Sequence, residues 1–181
     1  MIDTADRRKS MSARQKHFWL TLHLFFFALL TAGVLTCLIL IMVASRLPYP
    51  QLQAAGHYFV TYLDNSLIVP GSFGSLITGF WLAWRSNWGV TRYYWVLTKL
   101  VGNILLILNG SQLIRRWAIL SVSRSAIEHG DLTFLQTDAY LHARGMMQIA
   151  FGGSLVVMLF LVVISVYKPW GKRSAERKAG Q

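Results

Sequence analysis

Residues 24–44 read LFFFALLTAGVLTCLILIMVA, 21 positions without a charge. A helix of that length crosses a hydrocarbon core roughly 30 Å thick. Five basic residues precede it: Arg7, Arg8, Lys9, Arg14 and Lys16. That order matches a secretory signal, but the apolar stretch of a signal is only about 7–15 residues. An uncleaved first span over roughly 18–45 is therefore expected.

The composition extends this reading to the whole chain. The 181 residues are 54% hydrophobic and 14% charged, whereas soluble domains carry roughly 25% charged residues. The hydrophobicity also excludes a disordered chain. The length fits one domain. The single cysteine, Cys37, excludes an intrachain disulfide and a Cys-based zinc site. At mid-span it reads as a small core residue.

Three more apolar segments follow. The second, roughly 67–84, is interrupted by Pro70 and carries Gly71, Gly74, Ser75 and Gly79. Gly71, Ser75 and Gly79 recur every four residues, so they share a helix face that another helix can approach closely. The third, roughly 93–114, contains the one charge Lys99. The fourth, roughly 147–167, runs into Lys168-Pro169-Trp170, where Pro169 stops the helix and Trp170 suits an interface. The expected fold is an all-α, four-helix transmembrane bundle over 17–171, flanked by a basic arm (1–16) and a basic tail (172–181).

Counting Lys and Arg orients it. The N-terminal arm, the 85–92 connection, Lys168 and the tail together hold twelve, and the other side holds Arg46, Arg115, Arg116, Arg124 and Arg144. Twelve against five places both termini in the cytoplasm, N-in and C-in, and suggests a bacterial inner membrane. The net charge of +11 then reflects topology and attraction to anionic lipid rather than nucleic-acid binding. Trp84, Trp88 and Trp95 read as an aromatic belt at the cytoplasmic boundary. The connections 51–66 and 115–146 carry apolar residues at near-helical spacing, so they read as outward extensions of the second, third and fourth helices.

No phosphate-binding glycine loop, HExxH or GxSxG motif occurs, and the spans lack paired carboxylates. What remains is polar residues in costly places. His23 opens the first span and Lys99 lies about two turns into the third, at similar depth from the cytoplasmic face. Asn103 and Gly110 follow on the Lys99 face, and Gln148 and Gly152 make a polar-small step in the fourth span. An ionisable residue inside a span marks a functional site by default. The plainer readings are a snorkelling Lys99 and an interfacial His23 bonded to a carbonyl or water. A neutral imidazole is also a common haem or metal ligand, and a helix bundle can enclose a cofactor. His23 is thus a candidate iron ligand and Lys99 a candidate partner for an anionic group, with Asn103 nearby. Met147 and Met158 are conceivable soft ligands but read as filler. His57, His129 and His142 lie in the outer segments without a tight ligand spacing.

At these residues a resemblance emerges. His23 precedes Gly33 in LHLFFFALLTAG, and Pro70 precedes Gly79 in GFWL. Trp95 precedes Lys99 in WVLTK, and Lys168-Pro169 closes the last span. The order resembles small four-helix bacterial membrane proteins related to the membrane-embedded, haem-binding protoporphyrinogen oxidase family and to the copper-resistance protein D-like group. It is also similar to an uncharacterised bacterial membrane family that ends, as here, in Tyr-Lys-Pro-Trp-Gly. The resemblance covers roughly 17–171 and implies the four-helix fold, haem b as cofactor, and functional roles for His23 and Lys99. It departs at Leu30, where the oxidase family has Trp, and at Asn109-Gly110-Ser111-Gln112, where that family has Tyr and His residues.

The expectation is an integral membrane protein that binds haem b near its cytoplasmic face, with haem-dependent oxidoreductase chemistry as one extension. Two alternatives stand beside it. One is an accessory subunit docking a partner membrane protein or a second copy through a small-residue face. The other is a component of small-anion or metal transport.

Overall fold

The computed structural model of the chain describes residues 11–86, 90, 92–110 and 130–170. Helix α1 runs Ala13–Ala44. It begins well before the apolar run because Ser12 and Gln15 form a capping box, each side chain accepting from the other's backbone N–H at 3.3 and 3.2 Å. Two otherwise orphaned donors are thereby satisfied. Helix α2, Pro50–Leu63, starts on a proline, where the missing N–H costs nothing.

The interruption expected at Pro70 takes a specific form. Residues Asp64–Ile68 make one π-helical turn, and α3 continues from it as Val69–Arg85. Pro70 cannot donate to the carbonyl one turn back, and its ring crowds that carbonyl. The wider turn just ahead of it lets the rod pass through without breaking. Helix α4 spans Tyr94–Leu108, and α5 spans Asp138–Tyr167. Thr137 caps α5, its hydroxyl accepting from Tyr140 N at 3.3 Å, after a single 3-10 turn at Thr133–Gln136. At its far end Lys168 takes a left-handed conformation, φ 48 and ψ 53, and Pro169 follows. The expected stretch of the third span past 110 and residues 115–129 of the 115–146 connection lie outside the described residues.

Among the described residues there are helices and no strand. Three rods are long and apolar enough to cross a membrane: Ala13–Ala44, the continuous Pro50–Arg85, and Asp138–Tyr167. Helix α4 is apolar but shorter. The rods pack in a ring, with α1 against α3, α3 against α4, α4 against α5, and α5 against α1. Leu30, Val34, Cys37 and Ile41 of α1 interlock with Met147, Phe151 and Met158 of α5. The outward faces are also apolar: Ile77, Val156 and Leu159 are each more than 60% exposed. A soluble bundle would place polar residues there.

The small-residue stripe finds its partner within the chain. A β-carbon on Gly71 would lie 2.7 Å from Leu30 N, and one on Gly79 would lie 3.0 Å from the His23 ring. Ser75 between them is buried. The face expected to receive a partner protein is thus covered by α1. Trp95 also departs from expectation. It is 6% exposed and packs inside the bundle with Val96 and Ile164, whereas Trp84 stays exposed at the surface.

Candidate functional site

The close approach of α1 to α3 sets the first element of the site. His23 Nδ1 lies 3.1 Å from the Ser75 carbonyl oxygen and 3.0 Å from Thr78 Oγ1. A carbonyl oxygen only accepts, so Nδ1 carries the proton. The Thr78 hydroxyl donates its own proton to Gly74 O at 2.6 Å, which leaves its oxygen free to accept from the same N–H. The Nε2 lone pair is left for another partner, and none occupies it among the described residues. A hydrogen bond from one ring nitrogen to a carbonyl fixes the tautomer and orients an imidazole so that the other nitrogen can ligate a metal.

The second element is Lys99 on α4. Its Nζ donates to Ser165 Oγ of α5 at 2.8 Å. One turn towards the helix start is Trp95, and one turn further in is Asn103, so the three share a face. Asn103 Nδ2 donates to Ser75 Oγ at 3.2 Å, while its Oδ1 is buried without a partner. Asn103 thereby ties α4 to the carbonyl-bearing residue that orients His23.

These groups border one cavity of about 420 Å³ between the N-terminal half of α1, the C-terminal halves of α3 and α5, and α4. Its size falls in the range of small-molecule sites. The walls are mostly leucine, valine and aromatic side chains, and the polar lining consists of His23, Ser75, Lys99, Asn103, Ser165 and Lys168. The structure therefore brings His23, Lys99 and Asn103 to a single space. Gly110, Gln148 and Gly152 do not line it.

Lys168, which in the sequence counts towards topology and closes the last span, also lines the cavity. Its ammonium sits 5.7 Å from the Trp95 ring centroid at the cavity mouth, within cation–π range. A left-handed Lys is an uncommon backbone state, and it turns the chain at the point where the side chain meets the cavity. The Lys-Pro pair was the available signal, because the residue before proline is driven out of the right-handed helical region.

The other candidate ligands are placed elsewhere. Met147 and Met158 are buried in the α1–α5 core, as filler. Cys37 is buried, its thiol 3.8 Å from Val60 O. His57 is buried and shares a 2.5 Å hydrogen bond through Nε2 with the Tyr140 hydroxyl, while His142 is exposed. His129 lies outside the described residues. No group of three or more His, Cys, Asp or Glu suited to a metal ion occurs among the described residues.

The lining suits a haem in several respects. It offers one oriented imidazole nitrogen, two ammonium groups for carboxylates, and apolar walls, with no carboxylate, thiol, thioether or phenol among its described residues. Compared with protein-family models, with curated proteins and with solved structures, the chain gives no match.

Proposed function

We propose that this chain is a four-span integral protein of a bacterial inner membrane, with both termini cytoplasmic, that holds haem b at its cytoplasmic end. One observation carries the reading. The His23 Nδ1 proton is committed to Ser75 O and Thr78 Oγ1, and its ring lines a cavity that also holds Lys99. The resemblance noted in the sequence supports it, because His23, Gly79, Trp95, Lys99 and Lys168 all border this space.

In this reading His23 would hold the iron through its free ring nitrogen, and Ser75 and Thr78 would keep the tautomer that makes it a donor. Lys99 and Lys168 neutralise carboxylates, and the apolar walls exclude water. Bound haem would supply one-electron redox chemistry. Outside the cavity, the basic arm and tail attract anionic headgroups, each Lys or Arg near the surface contributing about 1 kcal/mol.

The test is the absorption spectrum of protein purified in mild detergent. A Soret band is expected, and His23→Ala should abolish or shift it. A preparation that stays colourless after haem addition overturns the reading. For the topology, a reporter fused after Gln181 is expected to be active only on the cytoplasmic side, and a periplasmic signal would reverse the orientation.

A further inference from the structure

We infer that the cavity is filled sideways from the bilayer, through a window between the inner ends of α1 and α5. Its ligand is then a membrane-dissolved amphiphile bearing a carboxylate or phosphate at one end. This deepens the proposal above, since it rests on α1 and α5 being membrane spans.

The window is visible in exposure. Leu20 and Leu24 of α1 and Val162 and Val166 of α5 all line the cavity. They are nevertheless 42%, 56%, 40% and 69% exposed. A side chain that both lines a cavity and faces outward stands on its rim. Further out the same two helices are sealed: Met158 is 2% exposed, and Cys37 and Met147 are fully buried. The physical reason is the stripe on α3. Gly71 holds Leu30 and Gly79 holds His23, so the inner half of α1 is committed to α3 rather than to α5.

The chemistry of the rim selects the traffic. These four window residues of α1 and α5 are apolar, so a hydrated ion gains nothing by passing between them; exposed Phe80 of α3 and Lys168 beyond the end of α5 border the cavity outside this window. The cavity reaches from Trp95 to Leu106 along α4, about 16 Å at the rise of an α-helix. That depth accepts an apolar body lying within one leaflet. Lys99 and Lys168 stand at the inner end, at the level where an amphiphile already carries its anionic group. Sideways entry keeps that group at its own depth and avoids the cost of drawing a charge through hydrocarbon.

The first experiment uses the full chain in phosphatidylcholine vesicles with haem already dissolved in the membrane. Leu24→Trp together with Val166→Trp crowds the window, and Leu105→Trp on the exposed side of α4 is the control. The window variant should take up haem roughly tenfold or more slowly, with the same final Soret spectrum, while the control keeps the wild-type rate. Equal rates for the window variant and wild type overturn the inference.

A second experiment distinguishes this inference from the haem proposal. The vesicles carry either a diazirine-bearing fatty acid or a diazirine-bearing phosphatidylglycerol, and labelled peptides are mapped. Labelling at residues 20–24 and 162–166 that falls roughly tenfold or more in Lys99→Met supports entry. The probe that labels shows whether a carboxylate or a lipid phosphate is taken. No labelling by either, or labelling indifferent to Lys99→Met, overturns it even if haem binds. Labelling of a chain that binds no haem supports the window and removes the haem reading.

Discussion

Gly71→Ala adds one methyl group where α1 and α3 leave no room for it. The new β-carbon would lie 2.7 Å from Leu30 N, 2.9 Å from Leu30 Cα and 3.0 Å from Leu30 Cβ. Comfortable contacts between carbon atoms fall near 3.5–4.0 Å, so the helices must part by nearly an ångström at this point. The first two atoms met are backbone, and no change of rotamer moves them. Leu30 is also 2% exposed and packs in the main core with Val34 and Met158. Overpacking of this kind costs about 1–3 kcal/mol. Alanine's better helix propensity returns up to about 1 kcal/mol, which would blur a comparison with wild type. Gly153→Ala on α5 removes that ambiguity, because a β-carbon there meets nothing within 4 Å. Both variants gain the same propensity, so their difference isolates the clash. Unfolding in mixed micelles, titrated with dodecyl sulfate and followed by helix content, should place Gly71→Ala about 1–3 kcal/mol below Gly153→Ala. Coincident curves for the two variants would refute the close α1–α3 approach, and with it the account of how His23 is held.

Three further outcomes are expected. Gly79→Ala puts a β-carbon 3.0 Å from His23 Cε1 and 3.4 Å from Nδ1; the ring must tilt off Ser75 and Thr78, so haem titration should show weaker binding, and unchanged affinity would remove this positioning role. Lys168→Gly should relieve a left-handed backbone worth about 1 kcal/mol and raise the melting temperature while weakening haem binding; Lys168→Ala should weaken binding without the gain. Tyr140→Phe leaves buried His57, whose Nδ1 already lacks a partner, without its remaining hydrogen bond; it should cost about 1–3 kcal/mol, and adding His57→Leu should recover part of that loss. A denaturation cycle over the four proteins checks the last, and strictly additive losses would count against a coupled pair.

Much of the architecture was legible in the residues alone. An uncharged run of 21 residues has few options, because its length and polarity are matched to one environment. Helix α1 and the apolar half of α5 therefore followed directly from hydropathy. So did the face shared by Gly71, Ser75 and Gly79, since a period of four residues is a property of the helix itself. The π-turn at Asp64–Ile68 was less legible. Pro70 announced a disturbance, but whether a helix breaks or merely widens depends on what packs around it. Trp95 was misread as an interfacial residue because an indole near a span end suits both the interface and a half-buried core.

The candidate site divides in the same way. His23, Lys99 and Asn103 could be named from the sequence, because a polar residue within an apolar run stands out by its cost. Their convergence on one cavity could not, since periodicity gives the faces of a helix but not its rotation against its neighbours. That rotation is decided by packing. Gly71 and Gly79 admit α1 to within backbone contact of α3, and this contact brings His23 Nδ1 to Ser75 O across 52 residues of chain. Lys168 entered the site only through its left-handed turn. The spans and their polar residues were thus written in local sequence, whereas the cavity exists only because small residues far apart in the chain let two helices meet.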